Sequence, residues 1–265
     1  MVEKSTYRTE EIWCRSESGD IYGVVYIPET GGTEYPLAIF AHELFRTHTS
    51  GTGYAERLAA RGIAVYVFDF RNGSASSRSG NDMTKMSVMT EVSDLEEVIR
   101  TAKSWEFVDA GRIVLIGGSQ GGFAAAVTAA KHPEEIAGLV LLYPAFVIVD
   151  NVHDMLPSKE NIPDAFNYHG WFTAGRPYAA DVWDYGIYNE INAYDKPVLI
   201  LHGGRDDLVD PGYSERAAKS YADAEYHLIP GAGHGFHGPA VDEAVSYIED
   251  YLDRIGVRQC RRRQK

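Results

Sequence analysis

Cysteine is scarce in this chain: Cys14 and Cys260, one near each end, are the only two in 265 residues. That supply argues against a secreted disulfide scaffold and for two free thiols in a reducing compartment. Long apolar runs are missing too. Stretches such as Leu139-Val140-Leu141-Leu142 fall far short of a bilayer span. The opening residues, Met1 to Arg8, carry no apolar signal region, so a cytoplasmic location is expected. Positive charge is in deficit, with 25 Lys and Arg against 38 Asp and Glu, a net charge of −13. Such a balance disfavours nucleic acid and anionic membrane surfaces as partners. The one basic cluster, Arg261-Arg262-Arg263-Gln264-Lys265, reads as a solvated chain end. His42 and His48 have no carboxylate or thiol cluster to complete a metal site, and neither metal nor organic cofactor is expected.

No internal repeat or low-complexity linker interrupts the chain. What is present is an alternation of short apolar runs with amphipathic stretches, the pattern of a mostly parallel sheet covered on both faces. Glu11–Arg15 and Ile21–Ile27 flank the turn residues Ser18-Gly19-Asp20 and predict an antiparallel hairpin. Buried strands are expected at Leu37–Phe40, Ile63–Phe68, Ile113–Ile116, Ile136–Leu142, Val198–Leu201 and Tyr226–Ile229. Helices are expected at Tyr54–Arg61, Glu91–Ser104, Gln120–Lys131, Tyr213–Tyr221 and about Ala240–Ile255. Residues 145–193 break the rhythm and read as a cap inserted into one sheet domain that spans residues 1–265.

The strongest motif is Gly117-Gly118-Ser119-Gln120-Gly121-Gly122, a G-x-S-x-G string between an apolar strand and an Ala-rich helix. That strand–turn–helix setting is what a nucleophile elbow requires. The turn is so tight that its serine is strained and its neighbours must be small. It lifts the hydroxyl to the carboxyl end of the sheet, over a helix N-terminus that favours developing negative charge. A serine nucleophile needs a base, and the base an orienting acid, in the chain order Ser, acid, His. The loop after Leu201 offers adjacent candidates, Asp206 and Asp207. The glycine-rich loop after Ile229, Gly231-Ala232-Gly233-His234-Gly235, offers His234, with His237 as rival among nine histidines. One donor for the tetrahedral oxyanion is the backbone N–H of Gln120, next after the nucleophile, and the other comes from the loop after the third strand.

With these stretches the chain resembles the bacterial α/β-hydrolases that include cinnamoyl and feruloyl esterases. Further matching segments are Tyr54–Ala59, Phe68–Arg71, Met86–Leu95 and Tyr213–Ala218, so the likeness runs along nearly the whole chain and is weakest over the insertion. The resemblance implies the α/β-hydrolase fold and a pattern H-G-x-x-D-x-x-V that selects Asp206 over Asp207. Aligned on its histidine, the loop Ala41-His42-Glu43-Leu44 offers Leu44 N–H as the second oxyanion donor. Glu43 departs from the pattern, standing where such proteins carry glycine. A carboxylate aimed at an oxyanion would oppose the chemistry, so Glu43 is expected to turn away onto a loop N–H or Arg46, or else to touch substrate.

In the resembling esterases the insertion roofs an acyl pocket, and aromatic rings suit a planar phenolic acid. Trp171 and Tyr178 are the candidate substrate contacts. The expected activity is hydrolysis of small acyl or hydroxycinnamoyl esters through an acyl-enzyme, with a small-molecule ester as partner. A serine peptidase or thioesterase on the same trio of residues is the alternative. The pattern does not exclude a homodimer.

Overall fold

A computed structural model describes residues 6–258, so Cys260 and the basic tail lie outside the described residues. Its frame is an eight-stranded sheet in the order β1-β2-β4-β3-β5-β6-β9-β10. β1 (Tyr7–Cys14) and β2 (Ile21–Pro28) form the antiparallel hairpin anticipated around Gly19, which takes φ +118 in the turn. β2 also runs antiparallel to β4 (Ala64–Phe68). From there the ladders are parallel: β3 (Tyr35–Ala41) with β4 and β5 (Val108–Gly118), β5 with β6 (Gly138–Leu142), β6 with β9 (Val198–Gly203), and β9 with β10 (Ala224–Ile229). Every residue of β3, β4, β6 and β9 is buried, as near-continuous apolar strands covered on both faces must be.

The helices divide between the faces and make two cores. α1 (Thr52–Ala59) and α8 (Pro239–Arg254) cover one face, where Phe40, Tyr54, Leu58, Tyr143, Phe236, Ile248 and Leu252 pack together. α2 (Val88–Ala102), α3 (Ser119–Lys131) and α7 (Gly212–Ser220) cover the other, with Leu95, Phe123, Phe146, Tyr168 and Tyr178 in its core. α3 is apolar all round and buried from Ser119 to Ala129, which suits a helix with no solvent face. α2 begins three residues before the expected Glu91. Ser87 accepts from Thr90 N while the Thr90 hydroxyl accepts from Ser87 N, a capping box built with threonine rather than the usual Glu or Gln.

Between β6 and β9 the chain forms α4 (Ile148–Met155), a two-stranded antiparallel sheet of β7 (Ala165–Tyr168) and β8 (Phe172–Gly175), and the short helices α5 (Arg176–Ala180) and α6 (Ile187–Glu190). The elements are too short to show a period. Yet Tyr168, Tyr178, Val182, Ile187 and Tyr194 are buried, so the segment is packed down rather than loose. Gly175 touches the Thr84 carbonyl so closely that no side chain would fit there. No helix among the described residues is long and apolar enough to cross a membrane.

Candidate active site

The bend between β5 and α3 carries Ser119 at φ +51, a left-handed conformation that non-glycine residues avoid. Room for it comes from two close approaches. A Cβ on Gly121 would run into the carbonyl oxygens of Ala41 and His42, and one on Gly117 into the backbone of Gly121 and Gly122. Ser119 is the first residue of α3, so the unpaired N–H groups of that helix face the same space as its hydroxyl.

Two later loops bring side chains to this bend. His234, after β10, sets Nε2 2.9 Å from Ser119 Oγ and Nδ1 2.8 Å from an Asp206 oxygen, Oδ2. The carboxylate fixes the tautomer: Nδ1–H donates to Asp206 and the Nε2 lone pair faces the serine O–H. Asp206, after β9, has a fully buried side chain. Its Oδ1 accepts from Leu208 N and Val209 N, both at 2.9 Å. Its Oδ2 also lies 3.1 Å from His202 Nε2. Burial alone would raise this carboxyl, but the hydrogen bonds from His202, His234 and Val209 N outweigh it and hold the pKa well below the carboxylate range. Asp207 is exposed, which separates the two candidates. His237 lines the cavity, but the bonds to Ser119 and Asp206 come from His234 and His202. His202 is buried, with Nδ1 2.7 Å from Ser214 Oγ, and so pins the acid rather than merely spacing the loop.

The loop after β3 is pinned by His42, which is buried. Its Nδ1 lies 2.8 Å from the Glu43 carbonyl oxygen and its Nε2 accepts from Phe70 N at 3.1 Å. Burial keeps this imidazole's pKa low, against the neighbouring carboxylates of Glu43 and Asp69, so it stays neutral. His48 instead pairs with Asp69 at 2.7 Å. Leu44 and Gln120 border the same cavity as Ser119. The Glu43 carboxylate does not reach a loop N–H or Arg46. It lies beside Gly118, 2.9 Å from where a Cβ would stand, and its Oε1 accepts from the Tyr143 hydroxyl at 2.8 Å. Tyr143 is brought there by the end of β6, at φ +39, a partner one hundred residues away that local reading cannot supply.

Gln120 is held by its side chain as well. Nε2 donates to Glu91 Oε1 at 2.8 Å and Oε1 accepts from the Tyr178 hydroxyl at 2.8 Å. Burial pushes Glu91 well above the carboxylate range, opposed by the Gln120 bond and reinforced by Asp94. Sequence reasoning missed this network. The one signal was a glutamate on the apolar stripe of α2, among Val88, Val92 and Leu95.

A cavity of about 810 Å³ opens over the bend. Of the residues that border it, Ile148, Tyr168 and Tyr178 belong to the α2/α3/α7 core and Tyr54, Tyr143 and Phe236 to the α1/α8 core, with Asn151, Trp171, Glu43 and Ser50 also on its wall. Trp171 stands half exposed at the tip of the β7–β8 hairpin. Tyr178 is fully buried and reaches the site through Gln120.

Residues 51–255 match the model of the prolyl oligopeptidase family. A monoacylglycerol lipase of Mycolicibacterium smegmatis is 26% identical over 235 residues, covering 75% of this chain and 82% of the lipase. Est1E of Butyrivibrio proteoclasticus, solved with ferulic acid bound, is 24% identical, with a TM-score of 0.82 over 92% of this chain and 99% of that one. A thioesterase domain from the curacin biosynthetic pathway aligns at 17% identity and a TM-score of 0.64, over 92% of this chain and 99% of its own. The structural likenesses bear on the fold, and the family match, across most of the chain, bears on descent. The chain belongs to the prolyl oligopeptidase family and is a hydrolase of the α/β-hydrolase type.

Proposed function

We propose that this protein is a serine carboxylic-ester hydrolase that works through an acyl-enzyme at Ser119. The observation that carries the reading is the relay Ser119–His234–Asp206, with neighbouring distances of 2.9 and 2.8 Å. In the reaction Ser119 Oγ bonds to the ester carbonyl carbon as His234 takes its proton. The N–H groups of Gln120 and Leu44 receive the oxyanion. His234 then gives the proton to the departing alcohol, the carbonyl re-forms, and water repeats the sequence to release the acid. Asp206 holds the imidazole tautomer and stabilises its cation.

We assign the acyl group to the aromatic side of the cavity, with residues 145–193 as roof of a single catalytic unit. Trp171, half exposed at the cavity, offers a face to a flat acyl chain. The ferulic acid bound to the similarly folded Est1E supports hydroxycinnamoyl esters as a substrate class. Tyr178 supports Gln120 in this reading rather than touching substrate. The family match gives one observation in favour of a second reading, a serine peptidase.

An active-site fluorophosphonate probe tests the nucleophile: folded protein labels at Ser119, and Ser119→Ala abolishes labelling and turnover. Failure of the wild type to label refutes the assignment. Rates on p-nitrophenyl acetate, methyl ferulate and an aminoacyl anilide separate ester from amide cleavage. A kcat/KM highest for the anilide overturns the esterase reading.

A further inference from the structure

The side of the cavity opposite the aromatic roof holds polar atoms that the relay does not use. Glu43 Oε2, Ser50 Oγ and the Tyr54 hydroxyl are each buried with no hydrogen-bond partner. All three residues border the cavity. Native proteins rarely leave such groups unpaired, and three in one cluster is far from the norm. They are also firmly held. The Tyr54 ring stacks on Phe40 with centroids 5.3 Å apart, and Tyr54 is only 4% exposed. Ser50 lies one helical turn before it. The Tyr143 hydroxyl is already spent on Glu43 Oε1, which leaves Oε2 as an acceptor with nothing to accept from. Burial, and then the Glu43 charge, raise the Tyr54 hydroxyl above the ordinary tyrosine range, so it keeps its proton and can donate as well as accept.

Position says which part of a substrate these atoms would meet. Tyr143, which bonds Glu43, packs edge-on against the His234 ring at 5.1 Å. An imidazolium that returns its proton to the leaving oxygen must have the alcohol beside it. The polar atoms therefore lie on the leaving-group side, where Tyr54 and Tyr143 belong to the α1/α8 core, while Ile148, Tyr168 and Tyr178 of the roof belong to the α2/α3 core. We infer that Glu43, Ser50, Tyr54 and Tyr143 form a leaving-group subsite for an alcohol with a second hydrogen-bond donor, a hydroxyl or a protonated amine. The donor bonds Glu43 Oε2, and Tyr54 and Ser50 take its remaining valences. The subsite rests on Ser119 and His234 acting as proposed, since it is their leaving group that it binds.

Three acetate esters test it: propyl, 3-hydroxypropyl and 3-(dimethylamino)propyl. The acyl group is shared, so kcat/KM compares the step in which the alcohol is still present. At least one donor-bearing ester is expected to exceed the propyl ester roughly tenfold in wild type, the worth of one charge-assisted hydrogen bond. Whichever ester leads names the donor. The same ratio falls towards one in Glu43→Gln and in Tyr54→Phe. A wild-type ratio within twofold of one, or a ratio that survives both substitutions, overturns the subsite. If Ser119 labels with fluorophosphonate while the ratio is flat, the subsite alone is wrong. If Ser119 does not label, the relay itself is wrong.

Discussion

Replacing Asp206 by Asn removes one charge and almost no volume, and the structure shows where the effect must land. Asp206 accepts hydrogen bonds from Leu208 N, Val209 N and His234 Nδ1 and lies 3.1 Å from His202 Nε2. An asparagine oxygen can keep Leu208 N and Val209 N, which turns the amide NH2 towards His202 and His234. His202 can spend its Nε2 proton on the Val209 carbonyl, 3.0 Å away. His234 has no such outlet, so it accepts the amide N–H at Nδ1 and carries its own proton on Nε2. That proton points at Ser119 Oγ, where a lone pair is needed. A serine relay with its acid so changed loses about 10⁴ in kcat, or about 5.5 kcal/mol of transition-state stabilisation. The folded state loses one charge-assisted bond, about 1.5–3 kcal/mol. Steady-state hydrolysis of p-nitrophenyl acetate measures the first figure and urea unfolding the second. Asp207→Asn, on an exposed carboxylate, serves as the paired control and stays within about twofold of wild type, as surface changes do. An Asp206→Asn enzyme within tenfold of wild type, or an Asp207→Asn enzyme that is the more damaged, would refute the reasoning.

Glu91 links the site to pH. Burial raises its folded pKa, so the native chain holds a proton that an unfolded glutamate gives up above about 4.3. Stability therefore declines as pH climbs from there through the folded value. Glu91→Gln, which keeps an oxygen for Gln120 Nε2, reduces that slope in urea midpoints taken from pH 5 to 8; an unaltered slope contradicts the assignment. Trp171→Ala raises KM for methyl ferulate by roughly three- to tenfold, the worth of one aromatic pair, and more than for p-nitrophenyl acetate. Equal effects on both esters would count against an acyl contact. Gly121→Ala presses a methyl onto two carbonyl oxygens of the β3 loop and costs about 3 kcal/mol in unfolding free energy. A loss under about 1 kcal/mol would mean that the bend has slack the structure does not show.

Periods and motifs make much of the fold and of the candidate site legible in the sequence. The fully apolar strands around Ile39, Val67 and Leu141 and the Ala-rich α3 carry their burial in composition. The G-x-S-x-G bend and the glycines around His234 carry their geometry in spacing. The edges were harder. β5 begins at Val108, five residues before the apolar run, because Val108 pairs with Tyr35 and the polar Asp109-Ala110-Gly111-Arg112 fill a register shift before Ile113 pairs with Leu37. Residues 145–193 hid their strands because one four-residue strand buries only Tyr168 and the other only Ala174 and Gly175, with no alternating face. Partnerships across the fold leave almost no local trace. Glu43 with Tyr143, Glu91 with Gln120 and Gln120 with Tyr178 each join distant segments. A carboxylate in an apolar stripe was the only visible hint of them.

The Tyr178–Gln120 bond ties the segment between β6 and β9 to the bend beneath it. Engineers who transplant a foreign roof between Pro144 and Asp195 keep the bend, both late loops and the α1/α8 core as they are. The graft turns on a single phenol: without a hydroxyl delivered at that spot, Gln120 keeps only its bond to Glu91, and a swap intended to change acyl preference would loosen the residue beside Ser119 as well.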